Sequence, residues 1–249
     1  RHARAVVLCR KLHKSCADVR GAEKLDRVGL LDAADMGTLG MILQTNGLPC
    51  LQRLYLGNNG LGDAGMQALC DGMGRGAAPS LRILDFSFNN FGPAGAEALA
   101  AALGRGAGPK IEILSLLANP IDNQGVAALT TSLRKMPALK ELLLGNCEIG
   151  DEGVASLVDN LGKDEFKALE ELSLNNNKIT NVGMAKLLAA LDAGGLPKLA
   201  RPCKYVLDLE DNPASAVAVA AVQCALAKRL EAEQLKHRWR GGKVGEGLG

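Results

Sequence analysis

The stretch Leu51-Gln-Arg-Leu54-Tyr-Leu56-Gly-Asn-Asn59-Gly-Leu61 decides the fold, because the chain restates it four more times. With Leu51 as position 1, apolar residues fall at positions 1, 4, 6 and 11, and Asn falls at position 9. Leu81, Leu84, Phe86, Asn89 and Phe91 repeat it, as do Ile111, Leu114, Leu116, Asn119 and Ile121. Leu139, Leu142, Leu144, Cys147 and Ile149 follow, then Leu169, Leu172, Leu174, Asn177 and Ile179. The copies start 30, 30, 28 and 30 residues apart. A fixed period of this size predicts a solenoid, in which each unit buries its apolar face against its neighbours.

The periodicity changes inside each copy. Apolar residues at positions 4 and 6 give a period of two, which predicts a short strand with one buried face. Beyond position 11 the spacing becomes helical, as in Met66/Leu69/Met73, Ala96/Leu99/Leu103, Val126/Leu129/Leu133, Val154/Leu157/Leu161 and Met184/Leu187/Leu191. Position 12 (Gly62, Gly92, Asp122, Gly150, Thr180) reads as a helix N-cap, and Pro93 suits the first helical turn. A glycine recurs at position 15: Gly65, Gly95, Gly125, Gly153 and Gly183. An interior helical Gly costs about 1 kcal/mol against Ala. Its recurrence predicts a close backbone approach, helix against strand or against neighbouring helix. Gly/Pro-rich joints at 74–79, 104–109 and 194–197 end the helices.

The ends are degenerate. Leu25, Val28, Leu30, Leu39 and Leu43 look like a worn first copy whose phase is open. Leu207, Leu209 and Asn212 carry positions 4, 6 and 9 of a last copy, after a joint containing Pro202. Residues 2–16 read as a leading helix and 214–238 as a long final one. The expected organisation is one domain over 1–249: a capping helix in 1–24, six to seven repeats in 25–214, and a capping helix with a basic tail in 215–249.

Apolar residues make up 47% of the chain and aromatics only 3%, so the core must be built from Leu, Ala, Val and Ile. A net charge of +2 is too small to imply a nucleic-acid or membrane partner. Seven cysteines are scattered, odd in number and without a CxxC pair, which favours reduced thiols and an intracellular, cytoplasmic location. No apolar run reaches the ~20 residues of a membrane span, and no signal-peptide pattern is present.

Few residues offer chemistry. Asn59, Asn89, Asn119, Asn177 and Asn212 form a ladder whose amides are expected to be buried and bonded to backbone groups of adjacent repeats. Cys147 fills the same slot in the fourth copy and reads as a buried, inert thiol. Gly104-Arg-Gly-Ala-Gly-Pro-Lys110 has the flavour of a phosphate loop, but it follows a helix and opens a strand, the reverse of that motif's context. His2, His13 and His237 all lie in the end helices, and no metal-ligand, nucleophile or cofactor motif appears. The expectation is therefore no catalysis, metal, cofactor or small-molecule substrate. The stretch 228–243, with Lys228, Arg229 and Trp239, reads as a solvated basic end.

Strand, Asn and full helix in units of 28 to 30 residues resemble the leucine-rich repeat of the ribonuclease-inhibitor type, and the extension Asn59, Leu61, Gly65, Leu69 is similar to that class. The resemblance covers about residues 25–214. It implies an α/β solenoid, a curved horseshoe with a parallel sheet on the concave face and helices on the convex face. On each strand, positions 3, 5 and 7 would face outward. The candidate partner-binding residues are then Arg53, Tyr55, Ile83, Asp85, Phe88, Ile113, Leu117, Glu141, Leu143, Glu171, Asp208 and Glu210, with Arg82 beside Arg53. They run from basic through apolar to acidic. The resulting expectation is a non-catalytic scaffold that binds a protein partner on the concave face. By similarity to Ran GTPase-activating proteins, regulation of a small GTPase is an alternative. A sensor fragment of a larger immune-receptor-like protein is another.

Overall fold

A computed structural model describes residues 2–45, 47–162, 164–199 and 206–241. Pro202, Cys203 and Lys243 lie outside the described residues, as do the side chains of His2, His237 and Trp239. The chain opens with helices α1 (His2–Lys11) and α2 (Cys16–Arg20), then alternates strand and helix. The strands are β1 (Lys24–Asp26), β2 (Arg53–Tyr55), β3 (Ile83–Asp85), β4 (Ile113–Ser115), β5 (Glu141–Leu143), β6 (Glu171–Ser173) and β7 (Leu207–Asp208). The helices between and after them are α3 (Ala33–Gln44), α4 (Gly62–Gly72), α5 (Pro93–Gly104), α6 (Asp122–Leu133), α7 (Asp151–Val158), α8 (Asn181–Asp192) and α9 (Ala216–Gly241). Among the described residues, all seven strands pair in parallel and in chain order, β1 to β7. Neighbouring strands lie about 4.8 Å apart, whereas packed helices need about 8–10 Å. A row of strands backed by a row of helices therefore bends, with the sheet on the inner, concave side.

Between sheet and helices runs one continuous core. Position 4 of every unit (Leu54, Leu84, Leu114, Leu142, Leu172) and position 6 (Leu56, Phe86, Leu116, Leu144, Leu174) are buried. So are the helical residues Met66, Leu99, Leu129, Leu157 and Leu187. Leu161 is only packed against the core's edge, because α7 stops at Val158.

The structure corrects the N-terminal reading twice. The leading helix is two: His13 takes a left-handed φ of 51°, and Ser15 then caps α2 in a reciprocal capping box with Asp18. Leu25 pairs with Leu54, so it is position 4 and Arg27 occupies the inward position 6. Val28 and Leu30 are accordingly 55% and 53% exposed rather than core residues. Arg27 Nε is buried without a hydrogen-bond partner, the single such side-chain atom among the described residues.

Two ladders stitch the units together. In the first, each Asn at position 9 donates to carbonyls of its own and the preceding unit and accepts backbone N–H groups from the preceding unit. Asn59, for example, donates to Leu56 O and Arg27 O and accepts from Leu30 and Leu31 N–H. Asn119, Asn177 and Asn212 donate in the same way. Cys147 donates its thiol to Leu116 O and Gly145 O but offers no acceptor oxygen. Ile121 N–H turns back instead onto the Asn119 carbonyl at 2.7 Å. Cys147→Asn should give the Asn119 N–H an oxygen acceptor in place of sulfur, as in the other units, and raise stability by about 1 kcal/mol. Chemical denaturation checks this, and an unchanged or lower midpoint would refute it.

The second ladder runs along the helix starts at position 13. Asp63 accepts from Gly92 and Gly95 N–H, Asn123 from Gly150 and Gly153 N–H, and Asp151 from Thr180 and Gly183 N–H. Each side chain thus caps the helix of the following unit, not its own. Burial disfavours the Asp151 carboxylate, but the Thr180 hydroxyl and the Thr180 and Gly183 N–H groups outweigh it and hold its pKa low. Pro93 cannot serve this role. The helix it should cap begins differently: Asp122 takes φ of 53° and accepts from Gln124 and Gly125 N–H itself.

This ladder explains the recurrent glycine. A Cβ at Gly183 would lie 2.6 Å from both Asp151 Oδ1 and Ile179 Cγ2. At Gly153 it would lie 2.8 Å from Asn123 Oδ1 and 2.7 Å from Ile149 Cγ2. At these two positions the tightest contacts are with side chains, the residue at position 11 and the neighbour's capping group, and the neighbouring helix's backbone follows at 3.4 Å, at Asp151 Cα and Asn123 Cα respectively.

Candidate binding face

Short strands with strict alternation place positions 3 and 5 of each unit on the free side of the sheet. The register brings the position 3 residues Lys24, Arg53, Ile83, Ile113, Glu141 and Glu171 into a single row across β1 to β6. Position 5 forms a second row: Asp26, Tyr55, Asp85, Ser115, Leu143, Ser173 and Asp208. Ile83, Ile113, Leu117, Leu143 and Tyr55 are half-buried, so part of each apolar side chain meets solvent. Ser115 and Ser173 are buried between larger neighbours.

Charge is distributed unevenly over this face. At the first end, Lys24 pairs with Asp26 at 2.9 Å and lies 4.9 Å from the centre of the Tyr55 ring. Lys24 escapes the sequence reading because the phase of the first unit is illegible there. Arg53 is exposed and forms no ion pair among the described residues. Arg82 sits before its strand and is bound to Glu112, which also takes Lys140 at 2.7 Å, so it does not extend the basic end of the face. Those two cations, Lys140 first, hold the Glu112 carboxyl below its usual range against some desolvation.

At the other end the carboxylates face one another. Glu141 and Glu171 are paired on adjacent strands, and Asp208 follows Ser173 in the next pairing. Burial, then the charges of Glu141 and Asp208, push the Glu171 carboxyl above its ordinary pKa. Glu210 is exposed, and its N–H donates to Asp208. Asp85 is partly committed, accepting from the Ser87 N–H and hydroxyl.

Phe88 is the outlier on the rim. Position 8 is left-handed in unit after unit: Gly29, Asn58, Phe88, Ala118, Asn146, Asn176 and Asp211 all have φ near 52–74°. Gly, Asn and Asp accept that conformation; a bulky aromatic does not. Phe88 adopts it with φ of 56° and its side chain 57% exposed. Neither packing nor backbone geometry calls for an aromatic there.

The remaining chemistry is sparse. Burial raises Cys70 and Cys147 to about 12, and burial together with Cys16 raises Cys9 to about 11, so these thiols are poor nucleophiles at neutral pH. Among the described residues no group of His, Cys, Asp and Glu could hold a metal ion. No described helix is long and apolar enough to cross a membrane.

Comparison with known families agrees with this architecture. A family model described as Leucine Rich repeat matches residues 47–70, 77–100, 135–158 and 168–188. No curated protein matches the chain. The matched segments each run from a strand into the helix that backs it, and the ladder of seven parallel strands links them. Four family matches on one repeating strand–helix unit, joined in a single parallel sheet, make this chain a leucine-rich-repeat protein.

Proposed function

We propose that the protein is a non-catalytic scaffold of the ribonuclease-inhibitor-like type that binds a protein partner on its concave face, inside the cell. Leucine-rich repeats are general protein-interaction modules. The 28- to 30-residue units with full helices support the subtype, and scattered cysteines in odd number support the location. The observation that carries the binding reading is Phe88, an exposed aromatic held in a backbone conformation it disfavours. Local strain of about 1–3 kcal/mol that serves no packing is characteristic of functional positions. Leu117 lies beside it, its carbonyl accepting the Phe88 N–H, Ile83 and Ile113 are neighbours on adjacent strands, and Tyr55 and Leu143 add half-buried apolar surface to the same face, a composition that supports binding.

The test joins two variants. Ile113→Asp with Leu143→Asp should leave the circular dichroism spectrum intact and abolish capture of partners from native lysate. If every captured partner still binds, the concave-face reading is wrong. Phe88→Asn should raise stability by about 1 kcal/mol, since Asn tolerates the left-handed region, while weakening the same captures.

A further inference from the structure

Across six adjacent strands, the row at position 3 reads two cations, two isoleucines and two carboxylates: Lys24, Arg53, Ile83, Ile113, Glu141 and Glu171. We propose that this row receives one amphipathic α-helix of the partner, laid across the strands, with its N-terminus and basic side chains over β5 and β6 and its acidic C-terminal end over β1 and β2. The inference rests on the concave-face reading above and names the class and direction of what binds there.

Two physical reasons select a helix. The sheet's backbone N–H and C=O groups are spent between strands, so its face offers side chains only. A segment docked there must satisfy its own backbone, which an α-helix does and an extended segment does not. The length also fits: five strand steps of about 4.8 Å span about 24 Å, the length of roughly 16 helical residues.

Polarity follows from the charges. Glu141 and Glu171 are like charges side by side, an arrangement that destabilises a sheet. Among the described residues, neither forms an ion pair. A partner's basic groups would neutralise them, and the positive end of the helix dipole adds to the attraction. Arg53, also without an ion pair among the described residues, lies towards the opposite end of the row. Ile83 and Ile113 fill the centre, where an apolar stripe at helical spacing would lie.

Three hydrocarbon-stapled peptides of about 16 residues test this, all with one leucine stripe. The first carries Lys at its N-terminal end and Glu at its C-terminal end, the second Lys at both ends, the third Glu at both. Fluorescence anisotropy with the full chain should show the first binding about tenfold more tightly than either of the others. Arg53→Glu should weaken it by a similar factor. A nitroxide on its Lys end should broaden the amides of Leu142 and Leu172 and spare those of Leu25 and Leu54. Equal affinities, no binding, or broadening at the Leu25 end would each overturn the proposal. If the peptides fail while Ile113→Asp with Leu143→Asp still abolishes partner capture, the helix is wrong and the concave-face reading survives. If capture also persists, both fall.

Discussion

Asn89→Ala should cost about 4 kcal/mol of folding free energy, seen as a large drop in the denaturation midpoint. Asn89 is fully buried. Its amide donates to Leu56 O at 2.8 Å, Phe86 O at 2.9 Å and Ser87 O at 3.3 Å. Its oxygen accepts from Asn59 N–H at 3.1 Å and Leu61 N–H at 3.4 Å. Alanine removes all of these at once and leaves carbonyls and N–H groups in a dry interior. Each orphaned group costs about 1–3 kcal/mol, and local relaxation recovers part of the sum. In a solenoid the damage also falls on an interface between units, the term that holds the array together. Asn58→Ala is the natural comparison. Asn58 is exposed, adjacent to the ladder residue Asn59 of the preceding unit, and Ala loses only its left-handed preference there, so about 1 kcal/mol is expected. A loss below 1 kcal/mol for Asn89→Ala would mean that the ladder does not bind the units together.

Gly72→Ala should destabilise by about 3 kcal/mol, against the usual gain of about 1 kcal/mol for Gly→Ala in a helix. A Cβ at Gly72 would lie 2.1 Å from Gly40 C and 2.2 Å from Gly40 O. One at Gly40 would lie 2.7 Å from Leu69 O. Backbone atoms of a packed helix cannot rotate aside, so α3 and α4 would have to separate, opening the core around Met36, Leu69 and Met73. Gly104→Ala on α5 provides the control: its Cβ would meet nothing closer than Ser132 Oγ at 3.5 Å. That variant should be neutral or slightly stabilising in the same denaturation series. If Gly72→Ala behaves like Gly104→Ala, the close helix crossing is not a feature of the folded protein.

Much of this protein is legible in one unit of its sequence. The inward leucines, the strand, the helix stripe and the Asn ladder are all local spacings, and each is repeated often enough to stand out from chance. The second ladder is not legible that way. Asp63, Asn123 and Asp151 sit where an ordinary N-terminal residue of their own helix would, and nothing in the local text says that they cap the next helix some 30 residues on. Gly65, Gly95, Gly125, Gly153 and Gly183 are visible as a repeat, but at Gly153 and Gly183 the crowding comes from the position 11 side chain and a capping carboxylate or amide. Gly40 and Gly72, whose approach is the tightest, belong to no repeat and give no signal.

The binding face divides in the same way. The letters that vary between units are legible in the sequence, but which cations belong to the basic end is not. Arg82 is consumed by Glu112, and Lys24 belongs to the face only because Leu25 pairs with Leu54. By itself, the sequence determined the unit, its two buried faces and the repeating architecture, because these depend on contacts between residues a few positions apart. Tertiary structure alone decided the phase of the first unit, the capping between units and which side chains share a row. Those depend on register between segments about 30 residues apart, and register is fixed by hydrogen bonds and packing that exist only once the units stack.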